Sequence, residues 1–281
     1  MEFFGISEGT IRLSVFGSVF VTMALAETLF PRKIRTQPRT GRWFANWGLV
    51  ILDTLTLRIV FPILAVGMAV YANDQGWGIF NFIALPFWIE ILLAIILLDL
   101  AVWAQHVVSH KIPILWRFHK VHHADRDIDV TTGARFHPVE IVLSMAYKFV
   151  WVLLLGPAAV AVFLFEVILN ASAMFNHSNV KLPLGLDRVA RSLIVTPDMH
   201  RVHHSIVTRE TDSNFGFFLS VWDRMFRTYI AQPKLGHNGV VIGLEEHQDS
   251  APSSLFWSLW LPFKAADDHG KSTASLTEDK P

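Results

Sequence analysis

Nine histidines are spaced as metal ligands are. His106 and His110 stand four residues apart, so on a helix both imidazoles share one face. In WRFHKVHH, His119, His122 and His123 lie at helical offsets of three and four, and HRVHH repeats that geometry with His200, His203 and His204. His177, in FNHSN, lies between these clusters. Imidazole ligates iron, zinc, copper or nickel, and one mononuclear site takes about four to six ligands. Nine therefore fit two ions better than one. Without metal, protonated rings packed this closely would suffer desolvation and mutual repulsion; metal fixes them as neutral ligands.

The competing reading of any single histidine is an interfacial or hydrogen-bonding residue, and His237, His247 and His269 are assigned that way. With no cysteine in 281 residues, disulfides, thiolate metal sites, iron–sulfur clusters and cysteine nucleophiles are all excluded. The absence of HExxH disfavours a zinc protease. A formal net charge of zero gives no global field for nucleic acid.

The elements that must position these histidines are apolar. Hydrophobic residues make up 52% of the chain and charged ones 17%, with mean hydropathy +0.39, against roughly 25% charge in soluble domains. Stretches at about 10–30, 47–72 and 77–103 are each long enough for a spanning helix. The first lacks a basic n-region and a small-residue cleavage site, so it reads as a retained membrane helix. A fourth region, 139–175, is too long for one crossing and is broken at Gly156–Pro157, which predicts a helical hairpin that enters and returns, its depth left open. The expected fold is all-α: about three spanning helices plus this hairpin, with a helical cap carrying the histidine-rich dimetal centre.

Orientation follows from the loop at 31–46, which carries Arg32, Lys33, Arg35, Arg39 and Arg42 and no acid, whereas the loop at 73–76 carries Asp74 alone. The positive-inside rule places the basic loop in the cytoplasm. Counting crossings then puts the N-terminus outside and every histidine from His106 onward on the cytoplasmic side. LFWSLWLPF, near the C-terminus, is aromatic but too short to span, and reads as a segment lying in the interface. Residues 1–265 read as a single membrane-embedded domain with a histidine-box core at 99–229. The tail at 266–281 is polar without apolar periodicity, and reads as disordered.

The series H-x3-H, H-x2-HH, a later single H and a second H-x2-HH resembles the fatty acid hydroxylase and sterol desaturase superfamily. The likeness extends to RFHPVE at Arg135–Glu140, NHSN at Asn176–Asn179, TPDMHRVHHS at Thr196–Ser205, and NFG followed by WDRMFRTY at Asn214–Tyr229. It implies a four-helix membrane stem with a cytosolic helical cap. It also implies two iron ions, which zinc can replace in a purified sample, and dioxygen as co-substrate for hydroxylation or desaturation of a lipid. Two positions depart from the pattern. Ala173 stands where some members have a further histidine, and Arg227 where many have glycine, which is expected to affect a turn rather than the metals.

Supporting residues are less sharply marked. Asp99, seven residues before His106 and near the same helical face, is placed to orient a metal-bound imidazole, and an acid at the end of a membrane helix is a functional candidate by default. Asn176 and Asp198 are further candidates for that role, although Asp198, like Asp212 and Asp223, reads first as a cap or surface pair. His137, in a His-Pro step, is read as structural or ligand-orienting in preference to a tenth ligand, because proline at a first helical position already explains the motif.

The metal site is expected at the membrane boundary, where a lipid substrate can enter laterally from the bilayer. With neither a GxGxxG fingerprint nor cysteine, electrons must come from a separate protein, a ferredoxin or a cytochrome with its reductase. The expected setting is a bacterial inner membrane or an internal membrane. The principal alternative, a non-catalytic membrane metal-binding or metal-transport protein, would line a path across the bilayer with its ligands; these cluster on one side. A bis-histidine haem protein would need facing histidines on separate spanning helices, which HH dipeptides do not suit.

Overall fold

The structure is a computed structural model that describes residues 2–3 and 5–264. The proposed tail at 266–281 and His269 lie outside the described residues. A two-residue β-hairpin, β1 (Glu2–Phe3) with β2 (Ile6–Ser7), precedes a helical stem and cap. The stem comprises α1 (Glu8–Leu29), α2 (Arg39–Val60), α3 (Ala65–Asp74), α4 (Phe87–Lys111), α6 (Pro138–Leu155) and α7 (Ala159–His177). The cap is built from α5 (Pro113–His123), α8 (Leu184–Ala190), α9 (Pro197–His203) and shorter turns. Five segments are long and apolar enough to cross a membrane: α1, the broken run Arg39–Asn81, α4, α6 and α7. They match the three expected spans and the two arms of the hairpin.

Two expected spans are redrawn by proline. The stretch at 47–72 is not one helix: α2 starts earlier, at Arg39, and stops at Val60, and α3 resumes beyond Pro62. Proline removes a helical donor and disfavours helical backbone in the residue before it. Likewise α4 does not begin at Trp77 but follows Pro86 and runs on through His110. The hairpin arms α6 and α7 meet at Gly156, whose φ of +59° is the left-handed conformation that ends helices. A Cβ there would sit 2.1 Å from the Trp77 carbonyl oxygen. The hairpin turn thus packs against the turn between α3 and α4, and Asn73 Nδ2 and Asn81 Nδ2 donate to the Pro157 and Gly156 carbonyls at 3.1 and 3.3 Å. Both turns lie at the end of the stem remote from the histidines.

Local sequence explains the helices that carry or flank the site. α5, α6 and α9 each open on proline, whose missing N–H costs nothing there. The Thr196 hydroxyl caps α9 by accepting from Met199 N at 3.4 Å. At the stem–cap boundary, Arg42 donates to both Asp125 oxygens at 2.6 and 2.9 Å, to Asp129 Oδ2 at 2.8 Å and to the Asp127 carbonyl. Arg135 donates to the Val121 carbonyl, Asn46, the Pro252 carbonyl and Ser258. Burial alone would raise the Asp125 carboxyl, but the Arg42 guanidinium outweighs it and holds the group well below the usual carboxylate range. Leu255, Trp257, Leu259 and Leu261 of the aromatic C-terminal segment pack on Leu49 and Val121, while Phe256, Trp260 and Phe263 stay exposed. The segment is two-faced.

Candidate metal centre

The ends of α4, α5, α7 and α9 converge, and all nine predicted histidines meet there. They fall into two groups, His106, His110, His119, His123 and His203 in one and His122, His177, His200 and His204 in the other, each with ligand atoms within 4.8 Å of one another. His122, His123, His177, His200, His203 and His204 are fully buried. His137 belongs to neither group. It caps α6, its Nδ1 accepting from Val139 N at 3.1 Å, while its Nε2 lies 3.2 Å from the Leu259 carbonyl.

The hydrogen bonds fix which nitrogen is free. His106 Nδ1–H donates to the Phe215 carbonyl at 2.7 Å, His203 Nδ1–H to Ser213 O at 2.7 Å, His177 Nδ1–H to Ala173 O at 2.8 Å and His122 Nδ1–H to Arg135 O at 3.2 Å. His119 Nδ1–H donates to Glu140 Oε1 at 2.6 Å. With Nδ1 carrying the proton, Nε2 of a neutral ring presents a lone pair. Yet His106 Nε2 faces His119 Nε2 at 3.1 Å, and His122 Nε2 faces His177 Nε2 at 3.1 Å. Neither pair has a proton left to share, so each is a repulsive contact until a cation sits beside it. Buried nitrogens without a partner add to the case: His110 Nε2, His203 Nε2 and both nitrogens of His123 and His204. The donor set fits two ions bound through imidazole.

Burial favours the neutral form of five of the cap histidines. Desolvation, and then neighbouring imidazoles, hold His122, His123, His200 and His204 well below the ordinary histidine range. His203 is lowered by burial to about 3.

The other predicted residues act around the centre rather than on it. Asp99 meets no histidine: its Oδ2 accepts from Trp222 Nε1 at 2.8 Å and Leu219 N at 3.1 Å. Asp198 accepts from Arg32 Nε at 2.9 Å, and His237 Nε2 lies 3.6 Å from it. Asn176 Nδ2 donates to the Phe217 carbonyl at 2.8 Å. Asp223, read from sequence as a cap or surface pair, is fully buried and accepts from Trp103 Nε1, Phe215 N, Gly216 N and Thr228 Oγ1 at 2.7 to 3.1 Å. It thereby shapes the segment whose Ser213 and Phe215 carbonyls orient His203 and His106. Two carboxylates do meet histidines of the cluster: Glu140 in RFHPVE, visible in the sequence without a signal for its role, and Asp212, whose Oδ1 lies 3.5 Å from His110 Nδ1 while its Oδ2 accepts from Lys111 Nζ at 2.6 Å. Arg227 adopts φ +61°, the left-handed backbone that glycine favours, in a turn clear of the histidines.

A cavity of about 840 Å³ opens beside the first group. His106, His119 and Glu140 line one end; Leu57, Val66, Met145 and Leu169 line its apolar walls; Arg12, Arg58, Lys148 and Glu166 line it along the stem, away from the histidines.

The profile of the fatty acid hydroxylase family matches residues 91–228, a stretch containing all nine histidines and the Asp223 segment. Residues 91–228 belong to this family. Similar curated proteins include an ornithine lipid hydroxylase of Rhizobium tropici, 28% identical over 78% of this chain and 67% of that protein. An alkylglycerol monooxygenase of Homo sapiens is 29% identical over 52% of this chain and 31% of its own length, and a cholesterol 25-hydroxylase of Mus musculus 27% identical over 51% and 48%. The chain thus spans about two thirds of the first and less than half of the other two. No solved structure matches the chain significantly.

Proposed function

We propose that this chain is an integral-membrane lipid hydroxylase of the fatty acid hydroxylase family, holding two iron ions in its two histidine groups. The observation that carries the reading is the set of Nε2-to-Nε2 contacts: His106 with His119 at 3.1 Å in the first group, and His177 with His122 at 3.1 Å and with His200 at 3.0 Å in the second. Two bound irons supply the oxidising power to insert one atom of dioxygen into a C–H bond while the other leaves as water. The reaction consumes two electrons and two protons, and the electrons come from a separate ferredoxin or cytochrome with its reductase.

The protein's own contribution is placement. The carbonyls of Phe215, Ser213, Arg135 and Ala173, with Glu140, hold five rings in one tautomer. The cavity delivers a chain to His106 and His119, and its apolar walls suit a lipid. Hydroxylation is preferred over desaturation because the named relatives are hydroxylases and monooxygenases. The basic loop Arg32–Arg42 supports a cytoplasmic centre, in a bacterial inner membrane or an internal membrane.

Comparative lipid profiling of cells with and without the active gene tests this reading. One lipid class gaining a single oxygen is expected. An unchanged lipidome under expression of a metal-loaded, folded protein with a reductase present, or a product lacking two hydrogens instead, would overturn it. Reporter fusions at residue 1, near Arg39, near Asp74 and after Pro281 test orientation. Arg39 and the C-terminus are expected on one side, with residue 1 and Asp74 on the other.

A further inference from the structure

Charges inside a membrane stem are costly and mark functional groups, and the part of the cavity away from the histidines holds several. Lys148 lies eight residues below Glu140 on α6, roughly 12 Å along the helix axis from the carboxylate that holds His119. Four of these charges close on themselves. Glu166 accepts from Lys148 Nζ at 2.7 Å and from Arg12 Nη2 at 2.8 Å, and Arg12 Nε donates to Glu8 at 2.9 Å. Two cations and two anions cancel, so this quartet needs no ligand and is a scaffold.

Arg58 is the remainder. It lines the same cavity from the last turn of α2 and is exposed. Among the described residues it has no hydrogen-bond, ion-pair or ring partner. Each acid that lines the cavity is already engaged: Glu8 and Glu166 in the quartet, Glu140 by His119. Asp53, the nearest acid on α2, stands five residues away, about 140° round the helix, and does not line the cavity.

We infer that Arg58 binds the anionic group of the lipid substrate, a carboxylate or a phosphate ester, and that the cavity selects amphiphiles carrying one. Guanidinium presents a planar fork of donors that matches both anions. The quartet lining the same cavity is internally neutral and does not compete for Arg58, and the apolar walls lead the chain toward His106 and His119. The inference rests on the lipid hydroxylase reading for the reaction, but the binding step can be measured apart from it.

Equilibrium binding of radiolabelled palmitate, 1-palmitoyl lysophosphatidate and hexadecanol to detergent-solubilised full-length protein, wild type and R58L, is the test. In wild type, at least one anionic probe is expected to bind about tenfold or more tightly than hexadecanol. R58L is expected to erase that preference and leave hexadecanol binding unchanged, with R58K retaining part of it. Preference for palmitate alone assigns a carboxylate, and preference for lysophosphatidate alone a phosphate headgroup. No anionic preference in wild type, or a preference that survives in R58L, overturns the inference. R58Q serves in place of R58L if the latter fails to fold. An Arg58-dependent preference in a protein that oxygenates no lipid would sink the hydroxylase reading and leave this one standing; hydroxylation of a neutral lipid, indifferent to R58L, would do the reverse.

Discussion

The two histidine groups differ in what they face. The first draws His106 and His110 from α4, His119 and His123 from α5 and His203 from α9, and two of its rings line the cavity. The second takes His122 from α5, His177 from α7 and His200 and His204 from the end of α9; all four are fully buried and none lines the cavity. Their supports differ too. Two rings of the first group rest on carbonyls of the Ser213–Phe215 segment and two meet carboxylates, His119 at Glu140 and His110 at Asp212, whereas two rings of the second rest on carbonyls of Arg135 and Ala173. On the proposed reading the contrast gives the first group the substrate-facing work and the second a protected role, linked through adjacent residues such as His122 and His123 on α5.

That contrast can be broken most sharply by removing metal. Chelation followed by gel filtration is expected to abolish turnover, with ferrous iron restoring it and zinc failing to, as measured by product formation with a reductase present. Next, H110A and H204A, one from each group, are each expected to lower turnover by at least about a hundredfold. If H204A kept full activity, the second group would be dispensable and the comparison would collapse.

Glu140→Gln sharpens the same comparison. The amide retains an acceptor for His119 but loses the charge, so activity is expected to fall about 10- to 100-fold while the second group's ion stays bound. Equal loss from both groups in metal titrations would show that Glu140 supports the fold rather than the first group.

Acid sensitivity follows from the burial of the imidazoles. In metal-free protein His122, His123, His200 and His204 have folded pKa values below their ordinary 6.5, and His203 is pushed down to about 3 by burial. The unfolded chain therefore binds more protons below pH 6.5. Stability is fully present above that value and declines as pH falls toward about 3, by about 1.4 kcal/mol per pH unit for each such histidine. Thermal unfolding of the metal-free protein across pH 4 to 8 checks this, and a flat profile would contradict it.

The smallest effects are expected at left-handed backbone. Gly156→Ala should destabilise by more than the roughly 1–2 kcal/mol of the conformation itself, since its Cβ also meets the Trp77 carbonyl. Arg227→Gly should stabilise by about 1–2 kcal/mol without altering metal content. Denaturation midpoints read both.

Much of this was legible in the sequence because helical spacing is a geometric statement. Offsets of three and four put His119, His122 and His123 on one side of a helix, and the family's motifs pointed to the same nine residues. The Gly156–Pro157 break announced the hairpin. What stayed hidden depends on contacts distant in sequence. Glu140 and His119 are 21 residues apart and Asp99 and Trp222 are 123 apart, so no local pattern tells that Glu140, rather than Asp99, meets a ligand ring. The division of the nine into five and four is likewise invisible, because adjacent histidines such as His122 and His123 point into different groups. Pro62 and Pro86 did carry a local signal, but apolar composition masked their effect on the helix bounds.

Iron per chain after anaerobic ferrous reconstitution of the detergent-solubilised protein tests the central claim most directly. Two ions are predicted for wild type, and one each for H110A and H204A. One ion or none in folded wild-type protein would contradict the two-group centre.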